Sequence, residues 1–336
     1  MKQYSQRLLA KQRAPDTPTR RHHYVPQAYL RQWSSDGRRV WAWDTATGNV
    51  RQLGVADLCV KENFYRVVGA DGAPHNRVEL LFGVVDEELR RVQALFVDLE
   101  DPERLELDDL FGLGVSMAMQ RMRTMQQRRI QVQYSKWLAA QNPEDFTSFE
   151  DPANPLKTAG IHTELIFTNM WAAADVLTTR QIEVWHDERG RFTTCDAPVL
   201  VRCNRSEREG LDSTPYVWWP ISPHRVIALS REPLGQKAVI REATGAMVGV
   251  VNEAVRRGRE RMIIASNDQR TQLDEGRTVR RRPQARLRCS DHTPTGRRVP
   301  PPGCRVELGE AFGSRPDVVL CDRGLHRPAP DMLAIT

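Results

Sequence analysis

Four short strings in this 336-residue chain carry side chains whose type and spacing suit chemistry. The first is Arg21-His22-His23-Tyr24-Val25-Pro26. Adjacent histidines beside a helix start can supply a neutral imidazole as general base, an imidazolium as acid or a nitrogen for a metal, because an unperturbed imidazole titrates at about 6.5. The same rings can instead cap the helix or bond backbone, with Tyr24 and Tyr29 packing nearby. The second string is Gln120-Arg121-Met122-Arg123-Thr124, followed by Arg128 and Arg129. On one continuous helix, positions 121, 124 and 128 share a face, so two guanidiniums and a hydroxyl would converge on a phosphate or carboxylate, or else form a solvated basic face. The third is Thr193-Thr194-Cys195-Asp196-Ala197-Pro198 at the end of a strand. There Thr194 and Asp196 suit a tight turn, and Asp196 could equally orient a histidine or hold a cation. The fourth is Asn252 at the opening of the last helix, placed to bridge a site to the core or to bond backbone.

Several common chemistries lack their motifs. The chain has no G-x-x-x-x-G-K-[ST], no G-x-G-x-x-G after a strand, no H-E-x-x-H and no G-x-S-x-G. Its six cysteines include no C-x2-C pair, which argues against a zinc ribbon and for reduced, incidental thiols. No metal-ligand set and no cofactor is assigned. The net charge of +6 comes with a basic N-terminal arm and an arginine-rich tail, the footprint expected for a polyanion partner such as nucleic acid. Mean hydropathy is −0.55, and no stretch reaches the apolar length of a spanning helix, so no membrane partner and a cytoplasmic location are expected.

The elements that must position these strings follow from patterning. Residues 1–20 read as a flexible basic arm. Pro26 opens a short helix carrying Tyr29, Leu30 and Trp33. Val40–Asp44 and the segment after the Thr45–Asn49 turn are strands, and Asn63–Val68 is another. Asn76 caps a helix, with Glu79 in a capping box and an apolar stripe from Leu81 to Leu99. A long helix spans 105–138, softened by Gly112 and Gly114, and a third covers 158–179. Strand text beyond Gln181 predicts a hairpin of IEVWHD with RFTTCDAPVLVR, then one or two strands in VWWPISPHRVIALS, a helix over 247–257 and a last strand at MIIAS. The arginine- and proline-rich residues 267–336 lack apolar periodicity and read as disordered. The expected fold is a single mixed α+β domain over 21–266, with a helical middle and a β-rich second half, plus that tail.

Read in order, HHYVPQAYLRQW, VWAWDTATG, ENFYRV, QRMRTM, TTCDAPVL, WWPISP, VVNEAV and MIIAS resemble the bacterial and phage HHYVP family, domain of unknown function 4238, across about residues 21–266. The resemblance marks His22, His23, Tyr24, Pro26, Arg123, Asp196, Pro198, Pro223 and Asn252. Two positions depart from the family pattern: Cys195 stands where it has serine, and Ala197 where it has asparagine. The family has no agreed activity, so the resemblance implies organisation and residues rather than a reaction. Were His22, His23, Arg123 and Asp196 to converge, they would compose a catalytic set for phosphodiester hydrolysis, with Tyr24, Arg121, Thr194 and Asn252 as binding residues. The leading expectation is a phosphoesterase or nuclease-like hydrolase. The alternative is a noncatalytic module that binds nucleic acid or a protein through Trp41, Trp43, Trp218 and Trp219.

Overall fold

The computed structural model describes residues 6–7, 16, 19–69, 72–201, 211–232, 237–266 and 273, with two short strands at 287–289 and 306–308. The chain begins with β1 (Arg21–His23) and α1 (Gln27–Arg31), then β2 (Arg39–Asp44), β3 (Asn49–Gly54), β4 (Val60–Glu62), β5 (Val67–Val68) and β6 (Pro74–His75). Four long helices form the middle: α2 (Arg77–Val97), α3 (Leu107–Met122), α4 (Met125–Gln141) and α5 (Pro155–Thr178). The second half holds β7 (Gln181–His186), β8 (Thr194–Cys195), β9 (Leu200–Val201), β10 (Tyr216–Pro220), β11 (Arg225–Ser230), β12 (Ala238–Glu242), α6 (Gly245–Gly258) and β13 (Met262–Ala265). The fold is α+β, helical in the middle and β-rich afterwards.

Helix α3 is the axis of the helical layer. From Gly112 to Met122 it is buried on every side, so Met117, Met119 and Met122 are core. Its glycines act by closeness rather than by softening: a Cβ on Gly114 would lie 2.5 Å from Thr178 Cγ2 and 3.1 Å from the Ala174 carbonyl of α5. The expected long helix is two helices. Arg123 and Thr124 break it, and the Thr124 hydroxyl caps α4 by accepting the Gln127 N–H at 3.3 Å. Arg121, Thr124 and Arg128 therefore do not share a helix face.

Two larger sheets pack on this layer. One runs β12-β7-β11-β10-β9, antiparallel except for the parallel β12–β7 pair; the other runs β3-β2-β13-β8, antiparallel throughout. The hairpin expected between IEVWHD and RFTTCDAPVLVR does not form. Strand β7 pairs with β11 and β12, whereas β8 pairs with β13 in the other sheet. Residues 194–201 thus pass from one sheet to the other. The strand expected over Asn63–Val68 is also shorter, because Asn63 takes the left-handed φ of 53° and turns the chain before β5.

The two sheets are joined by Tyr29 of α1. Its hydroxyl donates to the Pro220 carbonyl of β10 at 2.5 Å and accepts from the Thr194 hydroxyl of β8 at 2.6 Å, while its ring stacks on Trp219 at 6.0 Å. Of the basic arm, Gln6, Arg7, Asp16, Thr19 and Arg20 are described: Arg7 pairs with Glu87, the Asp16 carboxylate accepts the Asn76 N–H at 2.7 Å, and the Arg20 carbonyl accepts the Asn63 N–H at 2.7 Å. The tail read as disordered also lies outside them, apart from Leu273 and the antiparallel pair β14 (Leu287–Cys289) with β15 (Val306–Leu308).

Removing only the Tyr29 hydroxyl strands a buried carbonyl and a buried hydroxyl. Tyr29→Phe should cost about 1–3 kcal/mol in urea unfolding, and Tyr29→Ala about 3–5 kcal/mol.

Candidate functional site

Alternation along β1 sends the two histidines to different environments. His22 is fully buried, stacked on Tyr65 at 5.9 Å. Its Nε2–H donates to the Thr19 carbonyl at 3.1 Å and its Nδ1 accepts the Tyr65 N–H at 2.8 Å, so both ring nitrogens are occupied by backbone. Burial lowers its pKa, and the charges of Arg128 and Arg66 push the same way.

His23 is half-buried and differs in one respect. A carbonyl can only accept, so the 3.1 Å contact between its Nε2 and the Ala56 oxygen places the ring proton on Nε2 and the lone pair on Nδ1. No described residue bonds that Nδ1. Burial lowers the His23 pKa, and the nearby Arg123 and Arg21 charges add to the effect, so the ring is neutral at pH 7.

Arg123 holds the backbone of the same residue. Its side chain is 1% exposed, donates to the His23 carbonyl at 2.7 Å and to Asp86 at 2.5 Å, and lies 5.0 Å over the Phe82 ring. The Tyr65 hydroxyl donates to the Arg123 carbonyl. Beside this ion pair sits Glu79, whose carboxylate faces the His23 backbone N–H. Burial pushes that carboxyl up to about 7, with Arg123 and the N–H opposing the shift and Asp86 adding to it. Asn76 makes no side-chain cap to α2, so the expected capping box is replaced by this contact with β1.

The remaining expected residues lie at the crossing between sheets. Asp196 is buried, and its carboxylate accepts the backbone N–H groups of Glu260, Arg261 and Met262 at 2.9, 2.8 and 3.0 Å, closing the turn between α6 and β13. Burial raises it to about 7 against those three donors. Thr194 bonds Tyr29, and the Asn252 side chain accepts the Thr193 N–H at 2.9 Å and donates to the Arg191 carbonyl at 2.8 Å. Arg121 reaches the Val199 carbonyl at 3.4 Å. Tyr24 lies between the two regions, close enough for the Asp196 charge to help burial raise its hydroxyl pKa.

A family model described as protein of unknown function, DUF4238, matches residues 21–269. The chain belongs to this family. No curated protein and no solved structure matches it.

In this DUF4238 chain the structure therefore joins His23 to Arg123 through backbone and leaves Asp196 with a different turn. Glu79, Asp86 and Tyr65 complete the His23 region, and sequence reading had not singled them out as site residues. The available signal was Glu79 and Asp86 on the face of α2 that also carries Phe82, Leu89 and the buried Gln93. Among the described residues no group of three or more His, Cys, Asp or Glu could hold a metal ion, and no helix is long and apolar enough to cross a membrane. Of the four tryptophans considered for base stacking, Trp43, Trp218 and Trp219 are buried and Trp41 is half-buried.

Two outcomes follow for this DUF4238 site. His22→Ala should lower stability by about 2–4 kcal/mol in denaturant titration, because a buried N–H and a buried carbonyl lose their partner. The Glu79 carboxyl is raised from 4.5 to about 7 in the folded chain, so its contribution is complete below 4.5 and lost as pH rises through 7. Glu79→Gln should match wild type in melts at pH 4.5 and exceed it at pH 8, by up to about 3 kcal/mol.

Proposed function

We propose that this chain is a phosphoester hydrolase in which His23 is the general base. The observation that carries the reading is the fixed tautomer of His23: a neutral ring with its proton committed to Ala56 and a lone pair on Nδ1 that no described residue takes. Arg123 acts as a positioning residue. Its bond to the His23 carbonyl and its pairing with Asp86 hold the strand that presents the ring, since a base must sit within about 0.5 Å of its productive place. His22 sets the opposite face of the strand, and Asp196, with its three backbone donors, steadies the turn after α6 rather than touching a substrate.

Hydrolysis at this site runs through His23 and water. Water is oriented at His23 Nδ1, its oxygen bonds to phosphorus, and Nδ1 takes its proton. The bond from phosphorus to the leaving oxygen breaks, that oxygen takes a proton from solvent, and the imidazolium returns its own proton to solvent. The basic balance of the whole chain favours an anionic substrate over a neutral ester.

The test is hydrolysis of RNA, single-stranded DNA and duplex DNA, with and without divalent cations. His23→Ala should lower kcat by about 10²–10⁴-fold with KM little changed, while the chain melts close to wild type. The base works only when unprotonated, so kcat/KM should fall on the acid side with a midpoint below 6.5, following the direction of its shift. Full activity in His23→Ala, or no cleavage of any substrate by folded wild type, sinks the reading.

A further inference from the structure

The turn that carries Tyr65 also gathers positive charge that nothing in the described chain balances. Arg128 of α4 lies with its guanidinium 3.5 Å from the centre of the Phe64 ring and donates to the Phe64 carbonyl, yet its Nε–H is shielded from solvent and has no partner. Two residues beyond Phe64, the Nε–H of Arg66 is also shielded and unpartnered. Unlike Arg123, which has Asp86, neither pairs with a carboxylate among the described residues. One turn along α4, the Nε2 amide of Gln131 is a third shielded donor without an acceptor, its Oε1 being taken by His162 Nδ1 at 2.8 Å. His162 packs 5.7 Å from the same Phe64 ring and is held neutral by burial and by Arg128.

Both arginines are half-buried with only their Nε atoms fully shielded, yet burial lowers the Arg128 pKa to about 10, and a desolvated guanidinium without a carboxylate favours a counter-ion. A bridging water could satisfy the three N–H groups but would leave both charges uncompensated. We propose that Arg66 and Arg128, with Gln131, form a binding site for a phosphate-type oxyanion between the Phe64–Arg66 turn and α4. Two guanidiniums and an amide from three separate backbone positions suit an anion with several acceptor oxygens and more than one negative charge. The site does not rest on the hydrolase reading.

Inorganic phosphate is the probe, compared with chloride at matched ionic strength in thermal melts and titrated calorimetrically. Phosphate should raise Tm saturably beyond the chloride effect. Arg128→Gln should abolish that rise, and Arg66→Gln should weaken phosphate binding at least about tenfold. In chloride alone Arg66→Gln should melt no lower than wild type, because it removes an unbalanced charge; this variant carries the test if Arg128→Gln does not fold. A short single-stranded oligonucleotide is the second arm. Competition with phosphate assigns the ligand to a phosphodiester and lack of competition to a free phosphate, and both support the site. A wild-type response to phosphate no larger than to chloride, or phosphate binding intact in both variants, overturns it.

Discussion

The architecture around His23 turns on one buried guanidinium. Removing a charge from water costs several kcal/mol unless its partners are fixed in place, and Arg123 is 1% exposed. Its requirements therefore bind three separate elements: Asp86 of α2, the His23 carbonyl of β1 and the aromatic face of Phe82. The break between α3 and α4 falls at this residue. A helix continuing through Arg123 would use its carbonyl for an intrahelical bond further along, whereas here that carbonyl accepts the Tyr65 hydroxyl. The helix break, the β1 strand and the Tyr65 turn are thus one local solution to a single buried charge.

A second region is built on neutral donors. Residues 194–201 leave one sheet and enter the other, and such a crossing exposes backbone groups that no ladder satisfies. Asp196 takes three N–H groups from the turn before β13, Asn252 takes the Thr193 N–H, and Tyr29 links β8 to β10. Arg261 and Asp44 brace the same turn from β2, with contacts of 3.0 and 2.5 Å. Each contact joins segments far apart in sequence, so the second sheet is closed by chain from both ends of the domain.

What could be read beforehand divides along these lines. The short helix after Pro26, the β2 strand, the long helices and the β10–β11 and β13 strands were legible because each writes its own periodicity. Pairing was not. The alternation in IEVWHD identifies a strand but says nothing of its neighbours, and the parallel partner β12 comes more than fifty residues later. Asp196, Asn252 and Thr194 were legible as polar residues in telling places, yet their partners are largely backbone groups, which have no side-chain signature. Glu79 was read as a cap because it lies three residues after Asn76; the fold instead turns it toward β1, where burial raises it to about 7. The helix break at Arg123 was hidden because Met, Arg and Thr there violate no helical rule strongly.

The double histidine makes sense once β1 is seen to be a strand rather than a helix start. Successive side chains of a strand face opposite ways, so one imidazole enters the core while the next stays near the surface. The inward ring spends both nitrogens on Thr19 and Tyr65, which fixes the height and tilt of the strand. The outward ring spends only one, on Ala56, and is left with a lone pair. The same residue type at adjacent positions thus separates into an anchor with both nitrogens bonded and a ring with one nitrogen open, without any difference in intrinsic chemistry. Burial is the main cause that disfavours the imidazolium on both rings, and the nearby arginines add to it, so the neutral form of His23 with its open lone pair is favoured.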